Sequence, residues 1–212
     1  MTKHWFFNGD CLVEMNKVEI GTVRLIICDL PFGCSENYWD EPIPFEPMWE
    51  HIYRVTYPNA AIVLMGVQPL VTSNINDFRY ELVWKTQEKR NFLKANKMPL
   101  RQHINFGVWY RSLPKYFPQK TYGHKPVNSY TKHNSDGSNY GKTKINTSGG
   151  GQTDRFPTTV IEIPYAPITD RIHPTEKPVE LYEWLIKTYS EEGDTVPDFT
   201  SGAGTAARAA WN

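Results

Sequence analysis

The run Val23-Arg24-Leu25-Ile26-Ile27-Cys28 constrains this chain more than any other stretch. It is nearly all apolar, rich in branched side chains, and stopped at once by Asp29-Leu30-Pro31-Phe32. A strand without polar alternation is buried on both faces, and such burial belongs to parallel strands covered by helices. In the segment 44–57, Phe45, Met48, Trp49, Ile52 and Tyr53 fall on one side of a helix, and a second buried run follows at 60–65. Strand, helix, strand is the opening of an α/β sheet.

The alternation continues along the chain. Positions 5–7 read as a short strand ending in the turn Asn8-Gly9-Asp10, and Leu12, Met15 and Val18 have the spacing of a short helix. A helix is expected at 69–75, strands at 80–84, 106–110 and 159–163, and a helix at 179–190 with Leu181, Trp184, Leu185 and Tyr189 on one face. Thr195-Val196 leads into a Gly-rich turn, and 206–211 begins a last helix. From 113 to 157 the periodicity is lost, broken by Pro114, Pro118, Pro126, Gly137, Gly141 and Gly149-Gly150-Gly151.

A formal net charge of zero conceals a segregation. Between positions 85 and 155 fourteen basic residues stand against three acidic ones, a net +11, while the remainder holds nine basic and twenty acidic residues, a net −11. The basic stretch is interleaved with Phe92, Trp109, Tyr110, Tyr116, Phe117, Tyr122, Tyr130 and Tyr140, which suits docking of a polyanion. A solvated loop kept soluble by its lysines is the alternative. The resulting division is 1–84, a basic insert at 85–157, and 158–212. Cys11, Cys28 and Cys34 lack metal-ligand spacing and are odd in number, so no metal site and no disulfide framework is expected. With no signal-peptide pattern and no apolar stretch of membrane-spanning length, the expected setting is the reducing cytoplasm, without a membrane partner.

In open α/β sheets ligands gather beyond the carboxyl ends of the strands. On this reading Asp10, Asp29 and Asp198 each close a strand, so one crevice is shared among them. Asp198-Phe199-Thr200-Ser201-Gly202-Ala203-Gly204-Thr205 has a strand–turn–helix layout in which Gly202 and Gly204 let backbone N–H groups approach a ligand. Plainer readings stand beside these: Asp10 as a helix cap, His173-Pro174 as a turn, Lys177 as a surface charge.

The order Asn-Gly-Asp-Cys-Leu (8–12), Asp-Leu-Pro-Phe (29–32), basic insert, His-Pro-Thr-Glu-Lys-Pro (173–178) and Gly-rich turn resembles that of the β-class amino-methylating DNA methyltransferases. The segments Pro44-Phe45-Glu46-Pro47-Met48-Trp49 and Lys97-Met98-Pro99-Leu100-Arg101 are similar to a branch common in bacteria and phages. The resemblance covers nearly the whole chain. It implies a Rossmann-like α/β methyltransferase fold with circularly permuted motif order: a mostly parallel sheet, helices on both faces, and a basic target-recognition insert. It also implies S-adenosylmethionine as cofactor and double-stranded DNA as partner, in the setting of restriction-modification; a homodimer is left open.

The residue roles implied by the resemblance are specific. Asp29 and the Leu30 carbonyl would hold the target amine, Pro31 would set the turn, and Phe32 would stack on an extruded base. Asp10 and Cys11 would lie against the cofactor adenine. Thr175 and Lys177 would meet its methionine end, with Asp198, Phe199, Ser201, Gly202, Gly204 and Thr205 forming the cradle. Lys85, Lys89, Arg90, Lys94, Lys97, Arg101 and Arg111 would contact DNA, mostly at phosphates, with Arg111, Gln119 and Asn128 as unranked base readers. Attack on cytosine C5 would need a Pro-Cys pair, which is absent.

Departures from the family pattern are Leu30 for the usual Pro, Phe32 for Tyr and Ala203 for Ser. Family members also continue past the last helix to a strand whose terminal acid binds the cofactor ribose, so a chain shortened at its C-terminus, with an exposed apolar sheet edge, is expected. The leading reading is adenine-N6 methylation. Cytosine-N4 methylation, more often found with Ser at the motif Asp, and a catalytically silent DNA-binding relative are the alternatives.

Overall fold

The computed structural model describes residues 4–31, 33, 40–66, 68–132, 147–165, 167, 169, 171–173 and 176–212. The helices are α1 (Cys11–Glu14), α2 (Phe45–Val55), α3 (Gln68–Ser73), α4 (Val179–Tyr189) and α5 (Thr205–Trp211). The strands are β1 (Val23–Asp29), β2 (Thr56–Met65), β3 (Phe78–Arg90), β4 (Arg101–Trp109), β5 (Tyr130–Lys132), β6 (Thr147–Gly149) and β7 (Val160–Ile161). Two compact units result: Met1–Phe117 with Thr158–Asn212, and Pro118–Pro157.

The first unit is built on a five-stranded sheet in the order β1-β2-β4-β3-β7. β1 runs parallel to β2, as its nearly continuous apolar sequence predicts, and both of its faces are covered. Leu25 and Ile27 join Leu181, Leu185, Ala206 and Ala209 of α4 and α5 on one side. Ile26 and Cys28 join Met48, Trp49 and Ile52 of α2 on the other. Each such aliphatic side chain contributes about 1.5–3 kcal/mol when fully buried. Thr195 adds a parallel bridge to Val23 on the far side of β1, which brings the chain into the Gly-rich turn beside the β1 terminus.

The α/β architecture with helices on both faces agrees with expectation, but the sheet is mixed rather than mostly parallel. β2–β4 and β3–β4 are antiparallel pairs; β1–β2 and β3–β7 are parallel. The cause is the short connection between β3 and β4, which allows a hairpin but no helical crossover. A second difference concerns positions 5–7, which form no strand; Trp5, Phe6 and Phe7 are exposed. The expected boundary at position 85 falls inside β3, so the residues up to 117 belong to the sheet unit.

The second unit has no buried residue among those described. Its order comes from polar bonds: antiparallel pairing of β5 with β6, reciprocal backbone hydrogen bonds between Thr121 and Arg155, the Lys120–Asp154 ion pair at 2.7 Å, and the Arg155 guanidinium donating to the Lys125 carbonyl at 2.6 Å. Gln119 and Asn128 lie here.

Candidate active site

Asp29 is the last residue of β1 and pairs in register with Met65, the last of β2, so it emerges at the carboxyl edge of the parallel pair. Its Oδ2 accepts a hydrogen bond from the Lys177 ammonium. Its Oδ1 is buried and has no hydrogen-bond partner among the described residues. A buried carboxylate oxygen without a donor is unfavourable, and its presence at a strand mouth points to a donor that arrives from outside the chain.

Lys177 is buried, and the segment that delivers it is pinned by Glu176. The Glu176 carboxylate accepts from the Ile172 N–H at 2.8 Å and from the Arg208 guanidinium of α5 at 2.6 Å, while its own N–H donates to the His173 carbonyl at 3.0 Å. Pro178 then enters α4, as a residue lacking an N–H can at a helix start. Lys177 is therefore a buried partner of Asp29 and not a surface charge. Glu176 stands inside the His-Pro-Thr-Glu-Lys-Pro segment, but its bracing role was not legible there, because its partner stands 32 positions away on another helix.

The Gly-rich turn is fastened to β1 by an uncommon bond, the Phe199 N–H donating to the Cys28 Sγ at 3.3 Å. Within the turn the Asp198 Oδ1 accepts from the Thr200 N–H at 3.0 Å. Burial pushes the Asp198 carboxyl up to about 6; the Thr200 N–H acts against it, and the nearby charge of Asp29 adds to it. Gly202 and Gly204 have φ of +47° and +71°, in the region that favours glycine, and a Cβ on Gly204 would meet nothing within 4 Å. Ser201 and Gly202 are exposed, whereas Thr205 is buried in the first turn of α5.

Tyr182 is a further candidate for the site that the sequence left unmarked. It is buried on α4, and its phenol is pushed well above the ordinary range by burial first and then by the charges of Asp198 and Asp29. The field of both carboxylates thus reaches this one ring. Its helical phase next to Leu181 was the available signal, obscured by the more conspicuous Trp184, which is only partly buried.

The remaining expectations divide. Leu30 is buried in the α2-side core beyond Asp29, and Pro31 follows it. Phe32 and Thr175 lie outside the described residues. Asp10 closes no strand; it is exposed and caps α1, accepting from the Leu12 N–H at 2.8 Å. Cys11, next to it, is half-buried, and burial first and then the charge of Asp10 push its thiol pKa up.

Among the basic residues, Lys89, Lys94, Lys97 and Arg101 are exposed and make no ion pair with any described residue. Lys85 pairs with Glu162 at 2.9 Å. Arg90 donates to the Tyr165 hydroxyl at 2.6 Å. Arg111 donates to the Thr56 carbonyl at 2.8 Å and lies over the Tyr53 ring, so its guanidinium braces the start of β2. Among the described residues no cluster of His, Cys, Asp and Glu suits a metal ion, and no helix is long and apolar enough to cross a membrane.

Known structures share the fold. The PvuII DNA methyltransferase, described as cytosine-N4-specific, superposes with a TM-score of 0.63 at 14% identity, covering 96% of this chain and 76% of that one. The M1.HpyAVI–SAM complex gives 0.56 at 15% identity, covering 97% and 87%. In sequence, the type II methyltransferase M.HpaI of Haemophilus parainfluenzae is 26% identical over 225 residues, and the chain spans 63% of the length of that relative. The family of DNA methylases known as N6_N4_Mtase matches residues 23–212, a stretch that contains the whole sheet, the Asp29–Lys177 pair and the Gly-rich turn, and the chain belongs to that family.

Proposed function

We propose that this chain is an S-adenosylmethionine-dependent DNA methyltransferase acting on the exocyclic N6 amine of adenine. The observation that carries the reading is the unpartnered Asp29 Oδ1, held beside Lys177 at the carboxyl edge of the sheet. An exocyclic amine is a poor nucleophile because its lone pair is delocalised into the base ring. It is also a hydrogen-bond donor, which is what Oδ1 lacks. Accepting that N–H draws the nitrogen toward tetrahedral geometry and fixes its direction, and much of the acceleration then comes from positioning. Lys177 orients the carboxylate by occupying Oδ2.

The residues present suit the cofactor. Asp198 offers a desolvated carboxyl to a cationic ligand, and the open glycine turn places its backbone within reach. When bound, S-adenosylmethionine supplies an electrophilic methyl group. That methyl would go to the amine held by Asp29, and the electron pair of the broken carbon–sulfur bond would stay with the departing sulfur. Asp29 Oδ1 is placed to accept the proton that the nitrogen must then release. The route needs no covalent enzyme intermediate.

The structural likeness to a cytosine-N4-specific enzyme supports a second reading, because N4 of cytosine is also an exocyclic amine beside a ring nitrogen. The deciding experiment is transfer of labelled methyl from S-adenosylmethionine to unmethylated DNA, followed by digestion to nucleosides. N6-methyladenine is expected. N4-methylcytosine would establish the second reading, and no product with retained DNA binding would establish a silent relative.

A further inference from the structure

The hairpin formed by β3 and β4 ends in a tip whose apolar side chains play no part in the fold. Phe92 is largely exposed, Met98 about half exposed, and Leu93 fully exposed at 103% of its reference area. The tip is nevertheless well formed. Asn91 adopts φ +70°, and the Lys94, Ala95, Lys97 and Met98 N–H groups each donate to a carbonyl three or four residues earlier, at 2.8 to 3.1 Å. Backbone bonds alone thus hold Leu93 outward. Around it stand Lys89, Arg90, Lys94, Lys97 and Arg101, with no acidic residue anywhere from 89 to 101.

The neck of the hairpin adds a feature that is unfavourable in the isolated protein. Arg90 and Arg101 are directly opposite in the antiparallel register, and like charges at that spacing repel. The register also slips between Lys85 and Arg90: five residues of β3 match two of β4, which makes a bulge that re-aims the tip. The hairpin projects past the strand end that carries Asp29: Asp29 pairs with Met65 and Met65 with Phe106, so the half of β4 from Asn105 to Arg101 lies beyond that edge. Tyr165 binds Arg90 at 2.6 Å and packs on Trp84, and its phenol is pushed up to about 12 by burial first, with the Asp29 charge among the contributors.

Building on the methyltransferase reading, we propose that this tip is a wedge for duplex DNA. Leu93 enters the base stack beside the nucleotide drawn toward Asp29, while Arg90 and Arg101 share a backbone phosphate that relieves their repulsion. Apolar side chains inserted between base steps unstack and kink a duplex, which eases removal of one base. The cationic rim and the projection of the hairpin past the strand end that carries Asp29 favour nucleic acid over a lipid surface, which would have no use for that placement.

The test measures binding of the whole chain and of Leu93→Ala to a mixed-sequence 30-base-pair duplex, to the same strand single-stranded, to a duplex with one mismatch, and to anionic phosphatidylserine vesicles. Because Leu93 touches nothing in the fold, its removal leaves folding intact. Loss of the wedge is expected to weaken duplex binding roughly five- to tenfold, single-strand binding less than about twofold, and mismatched-duplex binding by an intermediate factor, since that stack is already broken. Equal affinity of both proteins for the duplex, or an equal deficit on all three DNAs, overturns the wedge. So does a deficit confined to vesicles. A wild-type chain that binds no DNA would instead overturn the methyltransferase reading and the wedge with it.

Discussion

The carboxyl edge of the sheet and the tip of the β3–β4 hairpin use charge in opposite ways. At the edge, Asp29, Lys177, Glu176 and Asp198 are wholly or partly withdrawn from water and act on one another through short bonds or through their fields. At the tip, Lys89, Lys94, Lys97 and Arg101 stand in solvent without ion pairs among the described residues. Burial strengthens a pairwise interaction and makes each group irreplaceable, while exposure leaves each charge weak, screened and interchangeable with its neighbours. Under the proposed function the edge does chemistry and the tip holds a polyanion.

The largest effect should come from the edge. Asp29→Ala is expected to lower methyl transfer by about 10³-fold or more, with DNA affinity nearly unchanged. Retained activity would remove Asp29 from its role and erase the contrast between the two regions. At the tip, neutralising Lys94, Lys97 and Arg101 together is expected to weaken duplex binding by roughly tenfold at moderate salt and to reduce the slope of log affinity against log salt by about 2 to 3. An unchanged slope would mean that the tip carries no phosphate contacts.

A smaller effect separates the regions by stability. Glu176→Ala strips the Ile172 N–H and the Arg208 guanidinium of their acceptor, and a loss of about 1–3 kcal/mol in denaturant unfolding is expected. Arg208 is about half exposed (52%), so its part of that loss is screened. Substitution of the exposed lysines should leave the unfolding midpoint in place. Equal destabilisation by both would contradict the division.

The subtlest effect is one of pH. Burial raises the Asp198 carboxyl to about 6 in the folded chain against 3.8 for a freely solvated one, so the folded state holds this proton more tightly. Its contribution to stability is therefore most favourable below the unfolded value and declines as pH rises toward about 6. Asp198→Asn is expected to abolish that decline and to be the more stable protein at pH 7. Affinity for the cationic cofactor should move the other way in the wild type, rising across the same window, and should be flat and weaker in the variant. Parallel wild-type and variant curves would show that the carboxyl is not desolvated as described.

Much of this was legible in the chain itself. The apolar run of β1 announced a doubly covered parallel strand, and the strand-end Asp29, the His-Pro-Thr-Glu-Lys-Pro segment and the glycine turn were visible as separate signals. Hidden were the relations that depend on distance in space. Nothing local reveals that Glu176 meets Arg208, that Cys28 receives the Phe199 N–H, or that Tyr182 is buried within the field of two carboxylates. Position 85 looked like a domain boundary because charge changes there, whereas backbone pairing carries β3 through it to Arg90. Asp10 resembled a strand terminus, and the fold uses it as a helix cap.

What the sequence determined by itself is therefore the list of elements and the chemistry available, since periodicity and residue type act over a few neighbouring positions. The tertiary structure alone decided which charges are paired and buried and which are left outward. Burial and hydrogen-bond geometry are properties of segments brought together across the chain, as when Lys177 closes on Asp29 from 148 positions away. That closure leaves a single carboxylate oxygen to meet the donor on which the proposed chemistry turns.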